Sequence, residues 1–346
     1  MSERRWARRP PNSNWGQFGD ADQRGRMNLL TPDRVRAAAA EIREGLTFCL
    51  SLPLDYPGGN YHDLRRNPPR LHPVTKNGTC CYNLRPSLTL TDVWCDDYVV
   101  LYTHASTHWD GLGHVGMAFD ADGDGIDEIV YYNGYRAHED VVGPVFKCEE
   151  QRSYAPQEAE VGAQALGMEN MAASCVQGRG VMVDLHRHYG RQRAFVGYDD
   201  LMHILEQDRV EVEEGDIICL HTGLAAALLK LDRNPDVDTL ENSHAVLDSR
   251  DQRLLRWVEE CGLVAIAADN FAVEGVPARP DAEARCAEPL HELCIVKLGV
   301  HLGELWYLTE LNDWLNSRGR TRFMLTAPPL RLPGAVGSPV TPIATV

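Results

Sequence analysis

Between Thr103 and Val115 the sequence reads THASTHWDGLGHV, which places three histidines and an aspartate within eleven positions. Thirteen histidines spread evenly over 346 residues would put roughly 0.4 in such a window, so composition does not explain the cluster. Imidazole nitrogens and carboxylate oxygens are ligands that Zn, Mn and Fe(II) accept in proteins. Because burying these groups without a shared ion would be costly, the spacing indicates a divalent metal site.

Local geometry favours a shared ion. If the backbone from Thr107 onwards is extended, His108 and Asp110 project to the same side, while His104 stands where an apolar run opens into a loop. The small residues between the two histidines allow a tight turn, and hydroxyls such as that of Ser106 could support the ligands by hydrogen bonds. Such a ligand set leaves a coordination position open for water, as a catalytic site requires.

Length and composition indicate a folded chain. With 346 residues, 44% hydrophobic and 24% charged, it can bury a core without disulfides. The formal net charge of -16 disfavours nucleic acid and anionic membranes as partners because either would repel the chain. We find neither a signal peptide nor an apolar run of about 18 residues, so we expect a cytoplasmic protein. Ten cysteines lack CxxC spacing, and we expect most of them to be buried.

Strand-like runs alternate with helices along the chain, which predicts an α/β fold with a mixed sheet. A Thr cap, a following Pro and a final Gly predict a helix in TPDRVRAAAAEIREG. Amphipathic spacing predicts two more helices in GYDDLMHILEQ and DSRDQRLLRWVEEC, the second capped by Asp248 or Ser249. Short apolar or β-branched runs predict strands in DYVVLYTH, GVMVDLH, GDIICLHTG, LVAIAAD, LCIVKLG and RFMLTAP.

The domain organisation follows from composition. Residues 1–25 are rich in Pro, Asn, Gly and charge, so we expect an N-terminal arm over the body or across a neighbouring subunit. Residues 26–346 contain neither an internal repeat nor a low-complexity linker, which favours a single domain. The best candidate for a lid is QRSYAPQEAEVGAQALGMENMAASC at residues 151–175.

The stretch HASTHWDGLGH resembles the HxGTHxDxxxH motif of the metal-dependent cyclase-like hydrolases, the family that includes bacterial kynurenine formamidase, isatin hydrolase and proteins described as cyclases. Three further segments resemble the longer branch of that family, so the resemblance covers most of the chain: NWGQFGDADQRGRMNLLTP, GDIICLHTG and LHELCIVKLGVHLGELWYL. The resemblance implies a swivelling β/β/α domain with a mixed sheet and a homodimer or homotetramer.

Residue by residue, the resemblance implies that His104, His108 and Asp110 bind a first metal ion. It implies that Asp110 also binds a second ion together with His291 and Glu304. Some relatives keep only one metal, so the resemblance implies one or two divalent ions, Zn or Mn.

The resemblance also suggests residues that act on the substrate. It implies that His114 is the general acid/base, and the usual Gly of the motif is Ser106 here, whose hydroxyl could reach the site. Trp15 matches a position where relatives place an aromatic ring near the substrate; packing of a tail residue on the surface is the alternative. Because the interval that follows His291 is one residue longer than in the short members, Glu310 is an alternative to Glu304.

Two other features could be functional. Alternating aspartates in DADGDGIDEIVYY at residues 120–132 resemble the start of a calcium loop, but the twelfth position is Tyr131 where an EF-hand needs Glu. A structural Ca²⁺ site and a solvated acidic turn are therefore both possible. Asp269 follows an apolar strand-like run, where α/β folds place functional groups, and could support a metal ligand.

These observations favour one class of function. Without a GxSxG elbow, a P-loop or a GxGxxG fingerprint, the chain lacks the defining parts of serine esterases, kinases and dinucleotide enzymes. We expect a metal-dependent hydrolase that uses metal-activated water to open a C–N or C–O acyl bond of a small amide, cyclic amide or lactone. The alternatives are a polyketide-type cyclase or lyase that uses the same metal, and a non-catalytic metal-binding protein.

Overall fold

The computed structural model describes residues 4–58, 66–144 and 160–346. The strands of these ranges are β1 Thr47–Cys49, β2 Arg70–Pro73, β3 Thr75–Lys76, β4 Thr79–Cys80, β5 Asp97–Val100, β6 His108–Asp110, β7 Met117–Phe119, β8 Glu128–Val130, β9 Val141–Val142, β10 Gly162–Ala163, β11 Gln177–Asp184, β12 Ala194–Val196, β13 Ile217–His221, β14 Ala245–Leu247, β15 Ala265–Ala268, β16 His301–Glu304, β17 Arg322–Thr326, β18 Gly337–Pro339 and β19 Ile343–Thr345.

The α-helices of the same ranges are α1 Pro32–Ala39, α2 Met168–Ala173, α3 Leu185–Tyr189, α4 Tyr198–Gln207, α5 Leu224–Lys230, α6 Val237–Glu241, α7 Gln252–Glu260, α8 Pro289–His291 and α9 Thr309–Arg318. A π-helix at Glu292–Leu298 continues directly from α8, and 3₁₀ turns occupy Gly25–Leu29 and Tyr132–Gly134. No helix in the described part of the chain is long and apolar enough to cross a membrane.

One curled mixed sheet organises the described residues. Its nine strands lie in the order β1, β19, β17, β11, β13, β15, β16, β6, β18. The central strands β11, β13, β15 and β16 are parallel, and the outer strands pair antiparallel, including β6 with both β16 and β18. The predicted α/β fold with a mixed sheet is therefore confirmed.

The central strands are buried on both faces, as parallel strands usually are. Along β11, Val181 and Val183 contribute to one apolar cluster and Met182 contributes to another on the opposite face. Helices α4 and α7 cover the first cluster, while α9 packs against the second. This two-sided burial fixes the register of the strands that carry the candidate site.

Three of the nine α-helices in the described ranges, α1, α4 and α7, were predicted from the sequence, but two of them differ from the prediction at their ends. Helix α1 begins after Thr31, whose side chain accepts a hydrogen bond from the first turn, but it ends at Ala39, well before the predicted Gly45. Helix α7 is capped by Asp251, which accepts two backbone N–H groups, so the predicted caps further upstream were wrong. Asp251 is the N-cap because it directly precedes the first helical residue, which lets its carboxylate accept from the first turn.

One strand prediction was wrong and another was confirmed only in part. The run LCIVKLG lies in the π-helix Glu292–Leu298, because an apolar run buried on all sides does not reveal its period. The run DYVVLYTH contains β5, which is exposed at every position and pairs with β2 rather than entering the large sheet. The cysteine prediction was also wrong, since only three of the nine described cysteines, Cys81, Cys219 and Cys294, are buried.

The N-terminal arm packs on its own chain. Trp6 and Trp15 are 5% and 1% exposed and join the first apolar cluster, with their rings 5.6 Å apart in an edge-to-face arrangement. Residues 151–159 of the predicted lid lie outside the described residues. The remainder of that segment forms β10 and α2, which bury Met168 and Met171.

Candidate metal centre

Strands β6 and β16 form the base of the candidate site. His108 and Asp110 lie two residues apart on β6 and share a face, as the sequence predicts. Antiparallel pairing places Glu304 on β16 directly opposite His108. Because β16 runs parallel to β11, β13 and β15, Glu304 lies at the carboxyl edge of the sheet, where α/β folds commonly place ligand sites.

His104 and His114 approach the same carboxylate from the loops on either side of β6. Their Nε2 atoms lie 3.4 and 3.7 Å from Asp110 Oδ1, and their rings stack with centroids 4.3 Å apart. His108 Nε2 lies 3.3 Å from the same oxygen. Three imidazoles therefore converge on one oxygen of Asp110.

His291 reaches the cluster from the last residue of α8. Its Nε2 lies 3.7 Å from Asp110 Oδ2 and 3.4 Å from Glu304 Oε1. The π-helix that follows leads the chain into β16, so a helical turn followed by a strand carries His291 and Glu304 to one place. The sequence pattern predicted a strand in place of that helical turn.

The predicted metal and catalytic residues are thus brought together. Their potential ligand atoms form two overlapping groups, within each of which the atoms lie within 4.8 Å of one another. We call these the outer group, His104, Asp110 and His114, and the inner group, His108, Asp110 and Glu304. The resemblance pairs His104 with His108, whereas the geometry also places His114 within reach of a cation held by His104.

The cluster fits a divalent cation. His104 Nε2, His108 Nε2 and both carboxylate oxygens of Asp110 are buried without a hydrogen-bond partner. Buried polar atoms are normally paired because an unpaired one carries a desolvation penalty. A divalent ion among these atoms would satisfy them together.

Hydrogen bonds orient two of the imidazoles. His108 Nδ1 donates to the backbone carbonyl of Ser106 at 2.7 Å, so Nε2 is the nitrogen left to face Asp110 and Glu304. His104 Nδ1 lies 3.0 Å from the Thr103 hydroxyl. Such contacts on the far nitrogen hold a metal-binding imidazole in the required tautomer and orientation.

Protonation states suit metal binding at the outer group. Burial lowers the pKa of His104 to about 2 and also lowers the pKa of His114, so both rings are neutral at pH 7. Burial would raise the pKa of Asp110, but the neighbouring His114 and His108 hold it well below its usual value. Neutral imidazoles and an ionised carboxylate are the forms that bind metals.

Gly337 is a supporting residue that the sequence did not reveal. It lies on β18 opposite Asp110, and a Cβ at this position would lie 2.0 Å from His104 Nε2. The imidazole of His104 therefore lies directly against the glycine backbone. No local motif could predict this contact, because more than two hundred residues separate the two positions.

Arg66 places a positive charge beside the cluster. Its Nη1 donates to the backbone carbonyl of His104 at 3.4 Å, and its guanidinium carbon lies 5.6 Å from the centroid of the Phe271 ring. The guanidinium also contributes to lowering the pKa of His104 and His114. No motif in the sequence marked this arginine.

Three residues suggested by the resemblance have side chains that do not contact the cluster in the described structure. The Trp15 indole donates to the Val296 carbonyl at 2.7 Å from a fully buried position. The Ser106 hydroxyl donates to a backbone carbonyl in the loop after β1 at 3.3 Å, so Ser106 supports His108 through its own carbonyl instead. Glu310 is exposed on α9, whereas Glu304 is buried in the cluster.

Asp269 organises a neighbouring loop. Its carboxylate accepts hydrogen bonds from the backbone N–H and hydroxyl of Thr222 and from the N–H of Gly223, at 2.6 to 2.8 Å. These bonds shape the turn between β13 and α5. Asp269 therefore supports the carboxyl edge of the sheet, and its described hydrogen bonds do not reach the metal ligands.

The acidic segment forms the turn between β7 and β8. Asp120, Asp122 and Glu128 place carboxylate oxygens within 4.8 Å of one another. However, Arg8 binds Asp120 at 2.7 Å, and Arg136 binds Glu128 at 2.7 Å and Asp122 at 3.6 Å. Two arginines thus already pair with all three carboxylates, which favours an acidic turn over a calcium site.

A cavity of about 770 Å³ is lined in part by residues that adjoin two of the candidate site residues in the sequence. Its wall includes Val115, which follows His114, and Glu288 and Pro289, which precede His291. A volume of this size accommodates a small organic molecule. The cavity therefore borders the segments that carry two of the candidate site residues.

The mixed sheet and the His/Asp/Glu centre define an α/β protein whose site is compatible with a divalent metal ion. The chain belongs to the cyclase family, because the family model described as "Putative cyclase" matches residues 49–275. A solved structure described as a novel cyclase is 31% identical, with a TM-score of 0.75 over 96% of this chain and 99% of that chain.

Two isatin hydrolases have a similar fold at lower identity. Isatin hydrolase A from Ralstonia solanacearum is 14% identical, with a TM-score of 0.55 over 91% of this chain and 98% of that chain. The Labrenzia aggregata enzyme, bound to benzyl benzoate, is 13% identical, with a TM-score of 0.53 over 89% and 95% of the two chains. At these identities the likeness concerns the fold alone. No functionally curated protein matches the chain significantly.

Proposed function

We propose that this protein is a metal-dependent hydrolase that opens a C–N or C–O acyl bond of a small amide, cyclic amide or lactone. Membership of the cyclase family supports an enzyme. The observation that carries the proposal is the set of buried, unpartnered ligand atoms on His104, His108 and Asp110. The His114 side chain is 23% exposed, so the centre is accessible from one side.

His104, His108 and Asp110 would hold one ion, and Asp110, His291 and Glu304 would hold a second. A bound Zn or Mn ion would supply Lewis-acid polarisation of the acyl carbonyl and lower the pKa of a water molecule from about 15.7 to about 7. The centre would thus provide both a nucleophile and stabilisation of the developing negative charge.

The protein's own contribution to proton transfer would come from His114. Burial lowers its pKa, so the ring is neutral at pH 7 and its unprotonated nitrogen can accept a proton from the attacking water. The same nitrogen can then donate that proton to the leaving amine or alkoxide. The partial exposure of this side chain lets it face the substrate, unlike the fully buried His108.

The second candidate is a cyclase that uses the same centre to close a ring. The description of the matching family and of the 31% identical structure favours this alternative. The two reactions differ in the fate of solvent oxygen. Hydrolysis places one solvent oxygen in a new carboxylate, whereas ring closure by dehydration does not.

The proposal is tested by elemental analysis of the purified protein, followed by a substrate screen with added Zn and Mn. Formanilides, lactones and isatin, which is a cyclic amide, represent the proposed bonds. We expect turnover with at least one class, and incorporation of one ¹⁸O atom into the carboxylate when the reaction is run in labelled water. Metal uptake without turnover of any of these substrates would favour a non-catalytic metal-binding protein.

A further inference from the structure

Glu274 contacts His291 on the side of the ring that faces away from the cluster. His291 Nδ1 donates to Glu274 Oε1 at 2.7 Å, and the backbone N–H of His291 donates to the same oxygen at 2.8 Å. Glu274 is 0% exposed and His291 is 4% exposed, so solvent does not compete for these bonds. The second carboxylate oxygen, Oε2, is buried without a hydrogen-bond partner in the described structure.

This contact determines the tautomer of His291. Because Nδ1 carries the hydrogen that Glu274 accepts, Nε2 is the nitrogen left to face Asp110 and Glu304, 3.7 and 3.4 Å away, and to bind a cation between them. A carboxylate behind a metal-binding imidazole also increases the basicity of the opposite nitrogen. The bond to the backbone N–H fixes the start of the helical turn that carries the ring.

We propose that Glu274 is a positioning residue that tunes the metal affinity of the centre through His291. The inference rests on the proposed function, in which His291 binds a divalent ion. Glu274 lies seventeen positions before His291 and shares no motif with it, so the sequence does not mark it.

The backbone before Glu274 supports a specific placement. Ala272 and Val273 have φ angles of 75° and 57°, in the left-handed region that side chains with a Cβ rarely adopt. Such strain persists where surrounding structure requires it, and it concentrates at functional sites. Here the left-handed residues turn the chain after β15, so that the backbone of Glu274 forms an isolated β-bridge with Leu247. The carboxylate of Glu274 then enters the core beside His291.

A purely structural role is the alternative, since the same bonds fasten α8 to the body. Two substitutions separate the roles. Glu274→Gln keeps an oxygen that can accept both hydrogen bonds but removes the charge, whereas Glu274→Leu keeps a similar volume and removes the acceptor. Glu288→Gln is the matched control, because Glu288 is half-buried three residues before His291 and its carboxylate forms no hydrogen bond to His291 in the described structure.

The experiment strips the full-length protein of metal and titrates it with Zn²⁺ against a chromophoric chelator, alongside thermal melts of the metal-free forms. We expect Glu274→Gln to lower the affinity for at least one Zn²⁺ ion roughly 10-fold and Glu274→Leu to lower it roughly 100-fold. Glu288→Gln should bind Zn²⁺ as tightly as the unmodified protein. Co²⁺ absorption spectra should change for the two Glu274 variants and remain unchanged for the control, because the geometry at His291 changes only in the former.

The inference is wrong if Glu274→Leu lowers the Tm but the folded variant binds Zn²⁺ as tightly as the unmodified protein. It is also wrong if Glu288→Gln weakens binding as much as Glu274→Gln, because the effect would then be one of charge alone. Failure of the unmodified protein to bind any divalent ion would overturn both the inference and the proposed function. Normal metal binding without hydrolysis would overturn the function and leave the role of Glu274 intact.

Discussion

His104 lies directly against the backbone of Gly337, and we predict that Gly337→Ala weakens metal binding. A Cβ would lie 2.0 Å from His104 Nε2 and 2.4 Å from its Cε1, so the ring must leave the position in which it faces Asp110. Because a small displacement of a ligand is costly at a metal site, we expect an affinity loss of about 10-fold or more in a chelator competition assay.

Gly143→Ala is the matched control for this substitution. A Cβ at Gly143 has no neighbour within 4 Å, and its backbone is outside the left-handed region. We expect that variant to bind metal normally. Equal affinities of the two variants would mean that His104 is not held as the structure describes.

The His114→Ala substitution tests the assignment of proton transfer. We predict a loss of turnover of roughly 10²- to 10⁴-fold, the usual contribution of general acid–base catalysis, with metal content unchanged. Elemental analysis and steady-state kinetics on the same preparation provide the measurement. Since His114 Nε2 lies only 3.7 Å from Asp110 Oδ1, loss of metal in this variant would identify His114 as a ligand instead.

At the residue scale, the sequence revealed what is close together along the chain. The motif from His104 to His114 stands out because its members share one short strand and the loops on either side of it. His291 and Glu304 were suggested only by resemblance to a family, since nothing in their spacing links them to the motif. Gly337 and Glu274 act through contacts that depend on the folded sheet and the left-handed turn after β15, which no local pattern records.

At the scale of elements, a buried network ties α9 to the carboxyl ends of β11 and β13. Asp184 accepts hydrogen bonds from His221 Nδ1 at 2.9 Å and from the side-chain amides of Asn312 and Asn316, both at 2.8 Å. Burial would raise the pKa of Asp184, but these hydrogen bonds lower it below its usual value. The network therefore favours the ionised carboxylate in the folded protein.

We predict that this network makes the protein sensitive to acid. The pKa of Asp184 is lower in the folded protein than in the unfolded chain, where it is about 3.9. Its stabilising contribution is therefore complete above that pH and is lost as the pH falls towards the folded value. The free energy of unfolding, measured by denaturant titration between pH 3 and pH 7, should decrease at the acid end.

The Asp184→Asn substitution isolates the contribution of this carboxylate. An amide cannot accept from His221, Asn312 and Asn316 at once, because one of its two ends is a donor. We expect a loss of roughly 1–3 kcal/mol at pH 7 and a shallower decrease in stability on acidification. An unchanged acid slope in this variant would assign the pH dependence to other carboxylates.

The strands at the centre of the sheet were predictable because GVMVDLH, GDIICLHTG and LVAIAAD are short, apolar and bounded by residues that disfavour strands, such as Gly and Asp. The same pattern failed for LCIVKLG, because a fully buried helical turn and a buried strand have the same composition. It succeeded for DYVVLYTH, which contains β5, but it did not reveal that the apolar side chains of this strand lie on an exposed two-stranded sheet. Exposure depends on tertiary placement, which the sequence pattern does not contain.

At the scale of the whole molecule, we predict a homodimer or homotetramer. The segment that contains β2 to β5 exposes an unusual number of large apolar side chains, with Leu71 71%, Leu88 89% and Trp94 47% exposed. Contiguous exposed apolar surface commonly marks a site of association. Light scattering coupled to size-exclusion chromatography should give a molecular mass of about two or four times the 38.6 kDa of one chain.

The control for association places a charge in this surface without disturbing the core. Tyr98 is 53% exposed on β5, so Tyr98→Asp should reduce the apparent mass while the large sheet remains folded. A monomeric mass for the unmodified protein at micromolar concentration would contradict the prediction.

The most direct test of the account is anomalous diffraction, at the Zn and Mn absorption edges, from crystals of the protein soaked with each metal. We predict an anomalous peak within bonding distance, about 2.0–2.3 Å, of His104 Nε2, His108 Nε2 and an oxygen of Asp110. Crystals without a peak among these three residues, or with their side chains directed away from one another, would contradict the metal centre and the function inferred from it.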